Sequence, residues 1–434
     1  MVQNMCRGCH RGWYAVLCLH ADWLLWTGVV KGLGVMLPTL RVQFAAETWM
    51  IGALISTING VSSFAGLLSG PLEAAFGTRA VAIVSGFLVG ISMILASFST
   101  SVIQMTFILS LLAGPGLSIT NVLTRATMAR YFTDDYATAS GIGTSGHSVG
   151  MILFAPLAQL LLNTYGWRGA LMLLGALALH LGVCCCLLRS PPPAAAEDSY
   201  QPIASSGGSE APLDESDPDA EKKSLLRSLK DAIVSQWNLL GCSVCCQAKF
   251  WIAAVVWTCS FFNDGLWLIY FVSYAETKGF SDYEAVTFVT FGGIGNLVFK
   301  IGLGPVIDRG LLKIRAAMLV MMVPNSLALL VLPWTNSFWS MAVNSFVFNG
   351  LNGAISGLGD MYTREMLGTK KLVYVFSWID LVSSAFHLSL GFFPGLIFDK
   401  TGSYDKAFVS MGCIAVLPVV ALFAEWVIDR RNSS

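Results

Sequence analysis

Apolar runs long enough to cross a bilayer as helix, about 20 residues each, recur twelve times along this chain of 434 residues. They fall near 13–37, 49–70, 79–99, 102–123, 138–163 and 169–188, and again near 250–273, 284–304, 314–334, 337–358, 372–397 and 406–427. A single soluble core cannot enclose so many. Only 12% of residues are charged, about half the share usual in soluble domains. The expected fold is therefore an all-α membrane protein with twelve transmembrane helices. The first run is too long for a cleaved signal peptide and leads straight into further spans. The lipid bilayer is the one partner that composition requires. With 26 basic against 26 acidic residues, no charge surplus points to nucleic acid.

The interruption between the two sets opens "RSPPPAAAEDSYQPIASSGGSEAPLDESDPDAEKKSLLRSLK". It is too poor in apolar residues to repay the entropy of ordering. Three units are expected: a six-helix bundle over 1–188, a flexible cytoplasmic linker over 189–249 ending in a short amphipathic helix near 221–237, and a second six-helix bundle with a short tail over 250–434. Loops assigned alternately to two sides place nineteen Lys and Arg, Arg125 and Arg130 among them, on the side of both termini, against five on the other. By the positive-inside rule both termini are cytoplasmic. Lys31 and Lys300 are the basic residues left inside spans.

The two sets repeat each other. Gly70-Pro71 and Gly304-Pro305 are 234 residues apart, Pro156 and Pro394 are 238 apart, and Gly166 and Gly402 are 236 apart. A near-constant offset predicts two parallel, pseudo-symmetric bundles, the build of transporters with a central site between halves. Gly304, Asp308 and Arg309 resemble the cytoplasmic loop signature of the major facilitator superfamily. The first-half copy keeps Gly70, Gly77 and Arg79 but has alanine in place of the acid. Arg79, Asp308 and Arg309 are the expected gating residues.

Three stretches resemble the monocarboxylate transporter family of that superfamily: "RGWYAVLCLHADWLLWTGVVKGLGVMLPTL", "YFTDDYATASGIGTSGHSVGMILFAPLAQLLLNTYGWRGA" and "PGLIFDKTGSYDKAF". The resemblance implies a plasma-membrane carrier of a small organic anion, in some relatives escorted by a single-span ancillary glycoprotein. It also implies that Lys31, matching the family's first-span lysine, binds the substrate carboxylate and takes part in proton coupling. An ammonium inside a span is costly unless an anion meets it. The bland alternative is a lysine snorkelling to the interface. Departures from the family pattern occur as well. His10 stands where an acid is usual, and Asp134-Asp135 stand where basic residues follow the Tyr-Phe pair. The eighth-span Asp and Arg of the family fall on Asn296 and Lys300. Asparagine cannot titrate, which puts proton coupling of the family's kind in doubt, while Lys300 can clamp an anion only as a point charge.

Asp22 and Lys31 are nine residues apart and face opposite sides of a helix, so Lys31 needs a partner from elsewhere. Asp264 and Asp380 are candidate partners or proton carriers, because intramembrane carboxylates are functional by default. Asp380 and His387, seven apart, share a face and suit either a proton relay or a packing hydrogen bond. His147, in the small-residue stretch "GTSGHSVG", reads as a packed or hydrogen-bonded imidazole. Phe261, Phe262, Trp267, Phe376 and Trp378 suit a pocket wall or lipid-facing packing. Asp360 in "GLGD" has no second acid placed for intramembrane proteolysis, and no nucleotide or HExxH motif occurs. No catalytic residue, metal or cofactor is therefore expected. The reading is a secondary transporter moving a small monocarboxylate by alternating access. A carrier of an aromatic amino acid, creatine or thyroid hormone, or a substrate sensor without flux, stays open.

Overall fold

A computed structural model describes residues 2–66, 68–132, 136–189, 245–308, 313–367 and 372–432. Among them all regular structure is helical. Residues 190–244 of the expected linker, with its amphipathic helix, Asp134-Asp135 and Arg309 lie outside the described residues.

The first span is the helix Val2–Gln43, the second Thr48–Gly66 and the third Thr78–Ala96, with a short helix Ser69–Phe76 before the third. The fourth runs from Val102–Ile108 through a π turn at Leu109–Ala113 into Gly114–Tyr131. Spans five and six share Tyr136–Thr144, Gly146–Ala178 and His180–Cys185, broken at Gly166. The seventh is Ala248–Thr277, the eighth Asp282–Asp308, and the ninth Ile314–Val331 with a 3-10 turn Leu332–Trp334. The tenth is Phe338–Leu367, the eleventh Leu372–Leu390 with Phe393–Thr401, and the twelfth Asp405–Asn432. This is the twelve-helix arrangement expected.

Nine stretches of described helix are long and apolar enough to cross a membrane, one of them the 47-residue double span Ala139–Cys185. The second and tenth spans are not among the nine, because Ser, Thr and Asn interrupt their apolar run. Several of those polar groups, Asn59, Ser62, Ser63, Asn352 and Ser356 among them, line the central cavity. The repeat is visible in backbone geometry: Gly166 and Gly402, paired by offset, both adopt positive φ, at 66° and 71°. A side chain at either position would strain the turn that separates its two helices.

Contacts between halves run between spans one and seven, two and eleven, and five and eight. They are tightest away from the termini. There the Asp399 carboxylate of the eleventh span accepts the backbone amides of Thr48 and Trp49 at 3.1 and 2.9 Å. These amides open the second span, so an anion meets the positive end of a helix. Gln159 of the fifth span donates to Asp282 of the eighth at 3.4 Å. The Arg41 guanidinium lies 5.3 Å from the Phe398 ring centre. Close approach requires glycine at Gly34, where a Cβ would sit 2.8 Å from the Leu268 carbonyl oxygen. The far side of the molecule is thus closed, and the halves part toward the terminal side.

Candidate functional site

Between the parted halves lies a cavity of about 610 Å³. Its walls come from the terminal-side portions of several spans: Asp22, Trp23 and Trp26 early in the first, Arg125 late in the fourth, and Lys300 late in the eighth. A shape that converges on polar groups inside a mostly apolar wall is the usual form of a small-molecule site.

Lys31 is not among the residues lining this cavity. It is completely buried, and its Nζ donates to the Leu268 carbonyl of the seventh span at 2.9 Å. The Trp267 ring centre lies 5.1 Å away, close enough for a cation–π contact. The side chain is therefore held inside the protein at the seam between halves rather than reaching out along the first span. Leu268 can accept this bond besides its helical one, since a carbonyl oxygen has two lone pairs.

Asn296, Lys300, Asp264, Asp380 and His387 do line the cavity. Asn296 accepts from Ser148 Oγ at 2.6 Å and donates to the Asn349 carbonyl at 3.0 Å. Ser148 is in the fifth span, so this bond joins the halves. Lys300 Nζ reaches the Thr144 carbonyl, also of the fifth span, at 3.3 Å. The buried Asp264 accepts from Asn352 Nδ2 at 2.5 Å, and its other oxygen is 3.7 Å from His147 Nε2. His147 is also hydrogen-bonded to Thr27 Oγ1 at 2.8 Å. This fits the packed, hydrogen-bonded imidazole expected of it and adds an acidic neighbour from the other half.

Asp380 and His387 share the cavity-facing side of the eleventh span, with Asp380 exposed and His387 buried. His387 Nδ1 pairs with the Ser383 carbonyl at 2.9 Å, one turn back on its own helix. Of the aromatic residues, Phe261 and Phe376 line the cavity, Trp267 covers Lys31, and Phe262 packs on His387 with ring centres 5.3 Å apart.

Of the expected gating residues, Arg79 is exposed at the start of the third span. Asp308 ends the eighth span, and Arg309 lies outside the described residues. In the first-half copy, where alanine replaces the acid, Glu73 takes up a pairing: it binds Arg130 at 2.9 Å and accepts from Thr78 Oγ1 at 2.6 Å.

Two charged groups of the cavity, Asp22 and Arg125, are not among the expected site residues. Asp22 accepts from Asn121 Nδ2 at 2.7 Å. Arg125, counted above with the loops, lies on the helix Gly114–Tyr131, which continues beyond the apolar run expected to end at 123. Asn121 and Arg125 of this helix line the cavity. The signal that could have found it is the Asn121–Arg125 pair at helical spacing.

A two-part helical bundle, sealed at one end and open to a polar cavity at the other, defines a membrane transporter. Residues 18–385 match the family model described as Major Facilitator Superfamily. The chain belongs to that superfamily, whose members are transporters rather than enzymes, and is a multi-pass membrane protein. It is 26% identical to monocarboxylate transporter 13 of Rattus norvegicus over 407 residues, covering 92% of this chain and 86% of the relative. It is 24% identical to monocarboxylate transporter 12 of Homo sapiens over 435 residues, covering 98% and 82%. Monocarboxylate transporter 11 of Mus musculus is 34% identical over 176 residues, 40% of this chain and 39% of that protein. These relatives agree with the family resemblance drawn from the sequence. Among solved structures, a D-xylose-proton symporter superposes with a TM-score of 0.67 at 13% identity, covering 94% of this chain and 97% of its own. That likeness concerns the fold.

Proposed function

We propose that this chain carries a small monocarboxylate across the plasma membrane by alternating access, with Lys31 holding the carboxylate in one state. The observation that carries this reading is the resting partner of Lys31. A fully buried ammonium is bonded to one neutral carbonyl and one ring face; the Asp264 carboxylate acts on it only at a distance and forms no ion pair with it, so the charge lacks a contacting anion in a medium of low dielectric. A carboxylate that arrives when the seam opens would supply the missing charge. Lys300 and Asn296 contribute from the second half and lose their bonds to Thr144 and Ser148 as the halves rock.

The excess of basic residues around the termini supports a cytosolic terminal side, which makes the arrangement described above inward-facing. In this reading 1–188 and 250–434 are the rocking bodies, 189–249 is their cytoplasmic tether, and Arg79, Asp308 and Arg309 close the inner mouth.

Proton linkage, if the carrier uses it, cannot run through Asn296. Asp264 is the acid beside Lys300 and His147, and in our reading it takes that part. The test is uptake of a radiolabelled panel of monocarboxylates, aromatic amino acids, creatine and thyroid hormone by oocytes at acidic and neutral pH. Saturable monocarboxylate flux is expected. Flux confined to another class would replace the substrate assignment, and binding without flux would replace transport with sensing.

A further inference from the structure

Lys31 is sealed away from the cavity that this conformation opens. A carboxylate in that cavity must therefore be met by some other cation of the first half, or by none. Among the described residues lining it, Arg125 and Lys300 carry permanent positive charge. They are not equivalent. Lys300 already donates to the Thr144 carbonyl. Arg125 is half-buried and, among the described residues, makes no hydrogen bond or ion pair; its guanidinium lies over Trp23, 5.4 Å from the ring centre. A guanidinium has five donors in a fixed fork that matches a carboxylate. Stacking on an indole fixes the plane of that fork without using its donors. The cavity acid Asp22 accepts from Asn121 through one oxygen and forms no ion pair with Arg125.

The surroundings indicate what the carboxylate is attached to. Trp23 and Trp26 both line the cavity, their ring centres 5.5 Å apart in an edge-on pair. His147 closes the corner, with its ring 6.1 and 5.9 Å from the two indoles. A cavity of about 610 Å³ is far roomier than a two- or three-carbon acid needs and falls within the range that holds drug-sized ligands, about 300–1,000 Å³.

We propose that Arg125, stacked on Trp23 and flanked by Trp26, forms a carboxylate subsite of the first half that serves the terminal-side-open state, and that it takes monocarboxylates with a flat, apolar body such as an aryl group. This rests on the carrier function proposed above and adds a hand-over: Lys31 holds the anion on the far side and Arg125 holds it on the terminal side. The two cations are never required at once.

The test is phenylacetate binding to the purified full-length protein, followed by quenching of tryptophan fluorescence, with acetate as comparator, alongside [14C]phenylacetate efflux and uptake. Saturable phenylacetate binding, tighter than acetate binding, is expected. R125Q should weaken it about tenfold or more, the scale of a lost charge-assisted pair, and R125K should recover part of it. The loss should raise the KM for transport from the terminal side far more than the KM from the far side, a sidedness that a merely structural defect would not produce. R130Q removes a charge from the same helix end, but one paired with Glu73, and should leave affinity unchanged. Should R125Q melt far below the wild type, R125K decides the matter by its sidedness. Binding without flux would overturn the carrier reading while the subsite stood. Equal KM changes from both sides, or unchanged binding in R125Q, would overturn the subsite while transport stood. A wild type that binds neither acid would overturn both.

Discussion

Lys31 of the first span and Leu268 of the seventh are joined across the seam between halves by a 2.9 Å hydrogen bond from ammonium to carbonyl. Gly34, one turn further along, lets the same carbonyl lie against the first helix. The bond therefore depends on the far side being closed, and opening that side must break it. A buried charge with a neutral partner contributes little to folding, and replacing it by a hydrophobe of similar length is often neutral or stabilising. K31M is expected to melt at or above the wild-type temperature while monocarboxylate transport falls at least about thirtyfold, the scale of losing one side of a desolvated charge pair. Thermal unfolding and uptake, measured on the same preparation, check both halves. Transport near wild type would remove Lys31 from the mechanism.

Closure of the far side can be tested where Gly52 meets Tyr270. A Cβ at Gly52 would overlap the tyrosine hydroxyl, so G52A should oppose the closed arrangement by about 1–3 kcal/mol, the usual cost of overpacking. Y270F removes the worst overlap, that of the oxygen, leaving the ring carbon Cζ 2.5 Å from the added Cβ, and gives up its bond to the Gly391 carbonyl. Transport should fall in G52A and recover in part in the double variant. A double variant as impaired as G52A would show that this contact does not control closure.

Much of this arrangement was legible in the sequence. The twelve apolar runs mark the spans because a bilayer satisfies no backbone polar group, and the glycine and proline offsets mark the repeat, with Gly166 and Gly402 both at positive φ between their helices. Lys31 stood out as a charge in an apolar run. Its partner did not, because every residue offers a backbone carbonyl and only packing selects Leu268. Arg125 was hidden for a related reason. Apolar runs mark where helix meets lipid, and a helix end that turns polar to face an internal cavity looks like a loop. The Asp264–Asn352 and Asp264–His147 contacts join residues 88 and 117 positions apart, with no local pattern to announce them.

Asp399 offers a reading of the conformational balance. Its carboxylate caps the first amides of the second span from the opposite half, and a cap of this kind is worth about 1 kcal/mol. D399N keeps one acceptor but loses the charge that favours a helix N-terminus. The far-side-open population should rise roughly fivefold. Ser56, buried near Gly391 in the closed arrangement, can report it: in S56C, labelling by an impermeant maleimide from the far side should speed up by that factor when D399N is added. An unchanged rate would mean that the cap plays no part in holding the far side shut.

The last expectation concerns what moves with the substrate. Asp264 is faced by His147 from the fifth span and Asn352 from the tenth, while His387 of the eleventh points its Nε2 at the neighbouring Gly265. Lys300 of the eighth and Lys31 of the first act on it through their charge. Carboxylate and imidazole thus meet where the halves meet, with the two ammonium groups further off, and the eighth-span residue that would otherwise titrate there is Asn296. If Asp264 carries the proton, D264N can still bind and exchange substrate but cannot return a proton with it. Accumulation driven by an acidic exterior should drop to the level of uninjected oocytes in D264N, while counterflow of labelled against unlabelled substrate continues. Loss of counterflow as well would place Asp264 in substrate binding, and undiminished acid-driven accumulation would clear it of any part in coupling.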